Sequence, residues 1–327
     1  MAPAAGRRGP AREAPAHEVA PATPIAAIIG PTASGKSELA MAIAANLPVE
    51  ILVADSRQVF RGLSIGTEKP SSADQRAVPH HLLDLVDPDD TFTVADWLAH
   101  ARPLVDQVAA RGRLPLLVGG TGLYVSALVD GYDFSSQPSS PVLRERLAAE
   151  LEAEGLEALA ARLQRLDPQT AAHTDVRNPR RVLRALERAE AGGPQGTRST
   201  PYPGRLALVA INRPRAELYR RIDARAAKLF QSGLLAEVQG LLAAGHRADS
   251  AALSSHGYAE AVRHLAGELT VEQAVEDTAR RTRQYAKRQL TWFRRDRRIA
   301  WIAAGERAAS EPALVEQARE LILRLLA

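Results

Sequence analysis

Gly30-Pro31-Thr32-Ala33-Ser34-Gly35-Lys36-Ser37 follows the apolar run Ile25 to Ile29 and leads into the helix-forming stretch Glu38-Leu-Ala-Met-Ala-Ile-Ala-Ala. The order is strand, glycine-bounded loop, helix. Gly30 and Gly35 allow a tight backbone turn, so that successive N–H groups and the positive end of the following helix can point at a phosphate. Lys36 adds a cation. In a loop of this kind the hydroxyl at the position of Ser37 holds a Mg²⁺ that bridges phosphate oxygens, which is why Ser or Thr follows the Lys. Residues 30–37 are therefore a candidate diphosphate or triphosphate site of the P-loop type; the loop alone does not say which ligand it takes.

The chain has 327 residues, enough for two lobes and a large core. Aromatic residues make up only 4%, so Ala, Leu, Ile and Val must supply most of that core. There is no cysteine, which excludes disulfides and thiolate metal sites and fits a reducing, cytoplasmic setting; any metal would be bound through oxygen. No run approaches the roughly 18 apolar residues of a membrane span, and no signal-peptide core stands at the N-terminus, so no membrane partner is expected. The formal net charge is +4, with the positive residues concentrated toward the C-terminal half.

Residues 1 to 23 are rich in Ala, Pro and Arg without apolar periodicity and are expected to be a disordered tail. Val49 to Val53 reads as a second strand ending at Ala54-Asp55-Ser56-Arg57-Gln58. In an open α/β sheet ligands bind beyond the carboxyl ends of the strands, which puts Asp55 near the phosphate loop by topology; a helix cap is the alternative role for it. A glycine-bearing loop, Arg61 to Pro70, precedes His80-His81, whose adjacent side chains would point different ways and so orient loops or touch substrate rather than share a metal. Phe92 to Ala110 is helical, and Leu114 to Val118 is an apolar strand flowing into Gly119-Gly120-Thr121-Gly122. This second glycine turn meets the same sheet edge, where Thr121 offers a hydroxyl and an N–H to a phosphate, or else serves only a close helix–strand crossing.

From Ser139 to about Pro203 the composition changes to Leu/Ala/Glu/Arg-rich helix, and Leu206 to Ile211 then resumes the strand pattern. The sheet is left and rejoined, so 139–203 reads as an insertion into a core made of 24–138 and 204–327. Within it Arg177, Arg181, Arg184 and Arg188 are spaced for one helix face, a surface for phosphate or simply a charged face. Ala216 to Leu242 reads as one amphipathic helix. Arg280 to Arg298 holds nine Lys/Arg, interleaved with Tyr285, Trp292 and Phe293, which suits a polyanion whose bases can stack. A short strand at 299–303 and a helix at 311–326 close the chain.

Taken together these segments resemble the tRNA dimethylallyltransferase family, also called tRNA isopentenyltransferase. The matching stretches are Gly30 to Ser37, Asp55-Ser-Arg-Gln-Val-Phe60, Gly62-Leu-Ser-Ile-Gly-Thr-Glu-Lys-Pro70, His80-His-Leu-Leu-Asp84 and Gly119-Gly-Thr-Gly-Leu-Tyr124. They continue with Asn178-Pro-Arg-Arg-Val-Leu-Arg-Ala-Leu-Glu187, Arg221-Ile-Asp-Ala-Arg225 and Ala286-Lys-Arg-Gln-Leu-Thr-Trp-Phe-Arg294, in the family's order from about residue 25 to 302. Phe60 stands where the family often has Tyr. The zinc finger of eukaryotic members is impossible in a chain without cysteine, so the resemblance is to the bacterial type.

The resemblance implies an α/β fold: a P-loop NTPase-like parallel sheet core with a mostly helical tRNA-binding insertion domain. It implies transfer of a dimethylallyl group from dimethylallyl diphosphate to N6 of the adenine beside a tRNA anticodon, with Mg²⁺ as cofactor. Asp55 then matches the general base, Thr121 a residue touching base and diphosphate, and Arg225 an arginine on the diphosphate. Gly30, Pro31, Thr32, Ala33, Ser34, Gly35, Lys36 and Ser37 hold the diphosphate, with Ser37 at the metal. Contacts to tRNA carry over to Asp55, Ser56, Arg57, Gln58 and Thr121, and to Arg144, Arg180, Arg181, Val182, Leu183 and Arg184. The chain is expected to act as a cytoplasmic monomer. Its rivals are a small-molecule P-loop kinase, a nucleic-acid-binding module with a regulatory P-loop and a free-adenylate prenyltransferase, none of which accounts for the P-loop, Asp55, Thr121 and both basic tracts together.

Overall fold

The computed structural model describes residues 22–134, 141–192 and 198–327. In chain order these form β1 (Ile25–Ile29), α1 (Lys36–Ala44), β2 (Val49–Ala54), α2 (Ser72–Ala77), β3 (His80–His81), α3 (Val94–Ala110), β4 (Leu114–Gly119), α4 (Gly122–Val129) and β5 (Tyr132–Asp133). The chain continues as α5 (Pro141–Leu166), α6 (Pro168–His173), α7 (Pro179–Glu190), β6 (Arg198–Ser199), β7 (Leu206–Asn212), α8 (Arg215–Gln231) and α9 (Leu234–Ala243). It ends with α10 (Tyr258–Leu265), α11 (Val271–Phe293), β8 (Ala300–Ala303) and α12 (Pro312–Leu326).

The apolar runs become strands buried on both faces, as parallel strands between helix layers must be. The sheet order is β3-β2-β4-β1-β7-β8, and every pairing in it is parallel. Alternation splits each run between two cores. Ile25, Ala27, Ile29, Leu52 and Leu208 pack toward α3, α4 and α9, whereas Ala26, Ile28, Ile51, Val53 and Val209 pack toward α1 and α12. The order of strand addition switches sides at β1: β2 to β4 lie on one side, β7 and β8 on the other. The loops after β1, β2, β4 and β7 therefore open at one edge, the ligand edge of such a sheet. Trp97 of α3, fully buried, donates to Val53 O at 3.1 Å and stacks on Tyr124 of α4 at 4.8 Å, so both helices are pinned two residues before Asp55.

Leu206 to Ile211 do rejoin the sheet, with Leu206 opposite Ile25 and Ala210 opposite Ile29. Between α4 and β7, helices α5, α6 and α7 pack on one another around Leu147, Leu159, Leu163, Val182 and Leu186, a core separate from those of the sheet. An antiparallel pair that periodicity did not reveal, Tyr132–Asp133 with Arg198–Ser199, stands where the chain leaves for these helices and returns.

Four expectations need correction or restriction. Most of the expected N-terminal tail lies outside the described residues, but Thr23 is tied into the fold: its hydroxyl donates to Asp106 at 3.1 Å and its carbonyl accepts from Tyr202 at 2.7 Å. The expected insertion boundaries at 139 and in 192–203 fall partly on residues outside the described set. The helix read over 216–242 is two helices, because Gly233 takes φ 102° between α8 and α9. Arg177 does not share the helix face of Arg181 and Arg184: Asn178 caps α7, accepting the Arg181 N–H at 3.3 Å, and Pro179 starts it, leaving Arg177 outside beside Asp175. Among the described residues no helix is long and apolar enough to cross a membrane.

The opposite edge of the sheet carries a polar tie. Glu50 of β2, 3% exposed, meets His81 of β3 at 2.7 Å and accepts from Arg111 at 2.9 and 2.6 Å. The Arg111 guanidinium, helped by His81, holds the Glu50 carboxyl down to about 2 against the upward push of burial. A depressed carboxyl contributes stability above its unfolded pKa of about 4.3 and loses it as pH falls toward the folded value. Glu50→Gln should therefore cost about 2 kcal/mol at pH 6. Urea midpoints measured from pH 6 down to pH 2 check this: the gap between Glu50→Gln and the parent chain should close between about pH 5 and pH 2.

Candidate active site

The loop after β1 turns with Gly30 at φ 136°, Ala33 at φ 61° and Gly35 at φ 97°. No side chain caps α1, so its first N–H groups stay available to an anion. Pro31 and Ser34 point inward and are buried, while Thr32, Ala33, Gly35, Lys36 and Ser37 line a cavity of 970 Å³. The loop is braced through its carbonyls: Pro31 O accepts from Lys36 Nζ at 3.4 Å, Ala33 O from Arg221 Nε at 3.2 Å and Ser34 O from Arg213 Nε at 2.7 Å. Arg213 escaped the sequence reading, although its place directly beyond β7 follows the same rule that singled out Asp55.

Four charged groups face one another across this cavity. Burial pushes the Lys36 ammonium down to about 8; Asp55 and Glu68 oppose the shift and Arg225 reinforces it. Arg225, one turn of α8 beyond Arg221, donates to Thr32 Oγ1 at 2.6 Å and pairs with Glu68 at 3.2 Å. The wall opposite the P-loop is made by Gln58, Thr67, Glu68, Lys69 and His80. His80 lines the cavity whereas His81 turns to Glu50, so the adjacent pair does diverge.

The Asp55 and Thr121 turns meet through a backbone group: Thr121 Oγ1 accepts the Ser56 N–H at 3.0 Å, and Asp55 Oδ1 accepts the Arg57 N–H at 2.8 Å. Asp55 thus closes a local turn, with no helix there for it to cap, and the half-buried residue also lines the cavity. The expected Thr121 N–H donor is not available, since it is bonded to Ala54 O at 3.1 Å. A Cβ on Gly119 would stand 2.1 Å from that same carbonyl, so the glycine is required by the close approach of β2 and β4. Tyr285 of α11 completes this side; its hydroxyl bonds Thr121, and burial raises its pKa.

Gln289, also on α11 and 6% exposed, joins the two glycine turns. Its Oε1 accepts the Thr32 N–H at 2.9 Å and its Nε2 donates to Gly120 O at 2.7 Å. The sequence displayed Gln289 inside a basic tract and gave no sign that it faces inward.

The candidate nucleic-acid residues separate into two groups. Arg180, Arg181 and Arg184 are exposed on α7. Val182 is wholly buried and Leu183 packs against the helical core, so these two shape the interior of the α5–α7 unit, whereas Arg144 stays exposed on its surface while pairing with Glu187 at 2.9 Å. Gln58 spends its amide donors on Thr67 O at 3.0 Å and Glu68 O at 3.3 Å, and Arg57 donates to Ala251 O at 2.6 Å. In the tract 280–298, Arg280, Arg281, Arg283 and Arg298 pair with Asp277, Glu260, Asp223 and Asp296. Lys287, Arg288, Arg294, Arg295 and Arg297 remain exposed, and Arg288 lies over the Tyr285 ring at 5.7 Å.

Residues 58–296 match the family model described as IPP transferase, and residues 23–84 match that described as isopentenyl transferase. A tRNA dimethylallyltransferase from Heliobacterium modesticaldum is 43% identical over 85% of this chain and 88% of its own length. The solved tRNA isopentenylpyrophosphate transferase of Bacillus halodurans is 36% identical, covering 93% of this chain and 97% of that one, with a TM-score of 0.69. A eukaryotic dimethylallyltransferase solved acting on tRNA, 22% identical with a TM-score of 0.74, shares the fold. A family match across most of the chain, agreeing with a P-loop whose cavity contains Asp55 and Arg225, leaves one assignment: this chain belongs to the IPP transferase family of tRNA-modifying prenyltransferases.

Proposed function

We propose that the chain transfers a dimethylallyl group from dimethylallyl diphosphate to N6 of adenosine 37, beside the anticodon of tRNAs reading codons that begin with U. The products are N6-isopentenyladenosine and diphosphate. The observation that carries this reading is the cavity in which a carboxylate, Asp55, shares a wall with the P-loop and Arg225. A kinase reading lacks a comparable reason for Asp55 to stand there beside Thr121, and the relatives favour the transferase.

The allylic carbon–oxygen bond breaks as negative charge develops on the diphosphate, so cations and N–H donors aimed at those oxygens lower the barrier. Lys36, the uncapped N-terminus of α1 and Arg225 are those groups. Ser37 lines the cavity with its hydroxyl free of any partner among the described residues, and oxygen donors suit Mg²⁺. Ser37 would hold Mg²⁺, which would supply positive charge to offset that on the departing diphosphate. Asp55 takes the proton that the exocyclic amine must lose as it attacks, and Thr121 orients the base from the neighbouring turn. The adenine leaves its stack to reach this depth, entering between the sheet edge and the helices α5–α7. Arg180, Arg181, Arg184 and the exposed cations of α11 hold tRNA phosphates.

Asp55→Asn keeps the turn acceptor but removes the base. Single-turnover transfer with both substrates saturating should fall by about 10² to 10⁴, with donor affinity little changed. A parent-like rate with a lowered melting temperature would assign Asp55 to the turn alone.

Lys36 is charged below about 8 and neutral above it, so the donor's kcat/KM should decline as pH rises through 8. A pH–rate profile flat from 7 to 10 would remove Lys36 from diphosphate binding. Arg180→Ala with Arg181→Ala should weaken tRNA binding and reduce its salt-dependence slope by up to about two, leaving donor affinity unchanged. An unaltered slope would take α7 off the tRNA surface.

A further inference from the structure

A site for an anion has a carboxylate facing it. Glu68 stands at the cavity wall, 3.2 Å from Arg225, and has no part in the transfer chemistry described above. Its backbone adopts φ 49°, the left-handed region that Glu rarely occupies, so the surroundings must hold it there.

Those surroundings are unusually well tied. Glu237 of α9 accepts the N–H groups of Ser64 and Ile65 at 3.1 and 2.8 Å. Tyr258 of α10 accepts the Gly66 N–H at 3.1 Å and donates to Glu237 at 2.5 Å. On the other side, Lys69 Nζ donates to Phe60 O at 2.9 Å and to Asp84 at 2.5 Å, while Gln58 grips the Thr67 and Glu68 carbonyls. The backbone is held on both flanks, yet the Glu68 side chain is 48% exposed and its one ion-pair partner among the described residues is Arg225, itself 19% exposed. The loop thus presents a half-exposed carboxylate to a largely buried guanidinium, one that also donates to Thr32 of the P-loop at 2.6 Å.

We propose that Glu68 is an exchangeable counter-anion for Arg225: it holds the guanidinium against the P-loop, yields it to the incoming donor diphosphate, and reclaims it to drive the product diphosphate off. The proposal rests on the donor reading above and concerns that same site. A diphosphate must win Arg225 from a resident carboxylate, so affinity is set below what the cations alone would give. The same competition keeps the product from lingering. Glu68 is thus a specificity-determining residue for how firmly the site retains diphosphate.

Inorganic diphosphate with Mg²⁺, titrated calorimetrically into the full chain, tests this. Glu68→Gln, similar in shape and uncharged, should tighten diphosphate about fivefold, the scale of a partly exposed ion pair, and product inhibition of transfer should sharpen equally. Glu68→Asn, which the left-handed backbone tolerates, should do the same and guards against a folding artefact. Unchanged or weaker binding in both variants overturns the exchange. Arg225→Gln separates the premises: if it leaves diphosphate affinity unaltered, the donor reading of this site fails as well. In the Arg225→Gln background the effect of Glu68→Gln should vanish. Persistence at full size would mean that Glu68 acts by general repulsion, and the competition for Arg225 would be refuted.

Discussion

Gln289 donates to one glycine turn and accepts from the other, and the geometry of the cavity depends on that double bond. A side-chain amide has both a donor and an acceptor end, so it can accept the N–H of Thr32 and donate to the carbonyl of Gly120 at once. Buried at 6% exposure, it loses a bond if either turn moves, leaving a polar atom unsatisfied at a cost of about 1–3 kcal/mol. The P-loop, the Thr121 turn and helix α11 are consequently one rigid unit. Asp55 is drawn into it through Ser56, whose N–H is bonded to Thr121. Arg213 and Arg221 hold the carbonyls of the same loop.

The two edges of the sheet divide the work. At the carboxyl edge the strand ends deliver turns with unspent donors, a buried ammonium and a guanidinium shared between Thr32 and Glu68. At the amino edge Glu50, His81 and Arg111 satisfy one another. Both edges use charge, but the first leaves it available to a ligand and the second closes it on itself. The closed set contributes stability; the open set sacrifices some of it, with Lys36 partly desolvated and two carboxylates sharing its cavity.

The helical unit α5–α7 follows the same division on a smaller scale. Leu147, Val182 and Leu186 fill its interior, and Arg144, Arg146 and Arg162 are paired with Glu187, Glu150 and Glu190. Arg180 and Arg181 stand outside that network at the start of α7. The basic tract of α11 divides likewise: cations near Asp277, Glu260 and Asp223 are structural, and those around Lys287 and beyond Phe293 face solvent. Charge density along a sequence thus overstates the surface open to a polyanion.

What the sequence determined by itself was local or topological. Apolar runs of five to seven residues set the strands, and the Gly30 to Ser37 pattern set the glycine-bounded turn from β1 into α1. The rule that ligands meet the carboxyl ends of strands located Asp55 and Thr121, because these readings need only neighbours in the chain. Tertiary structure decided everything that depends on which side chain meets which across the fold. Gln289 lies 257 residues from Thr32, Glu237 lies 172 from Ile65 and Arg225 lies 193 from Thr32, and no periodicity links such pairs. The break at Gly233 and the exclusion of Arg177 from α7 were visible as residues but not as outcomes, since a glycine or a capping Asn ends a helix only where packing rewards the turn. Whether a charge is spent or available is a property of three-dimensional neighbours, and it was that distinction, at Arg144, Arg225 and Glu68, that the chain's order could not contain.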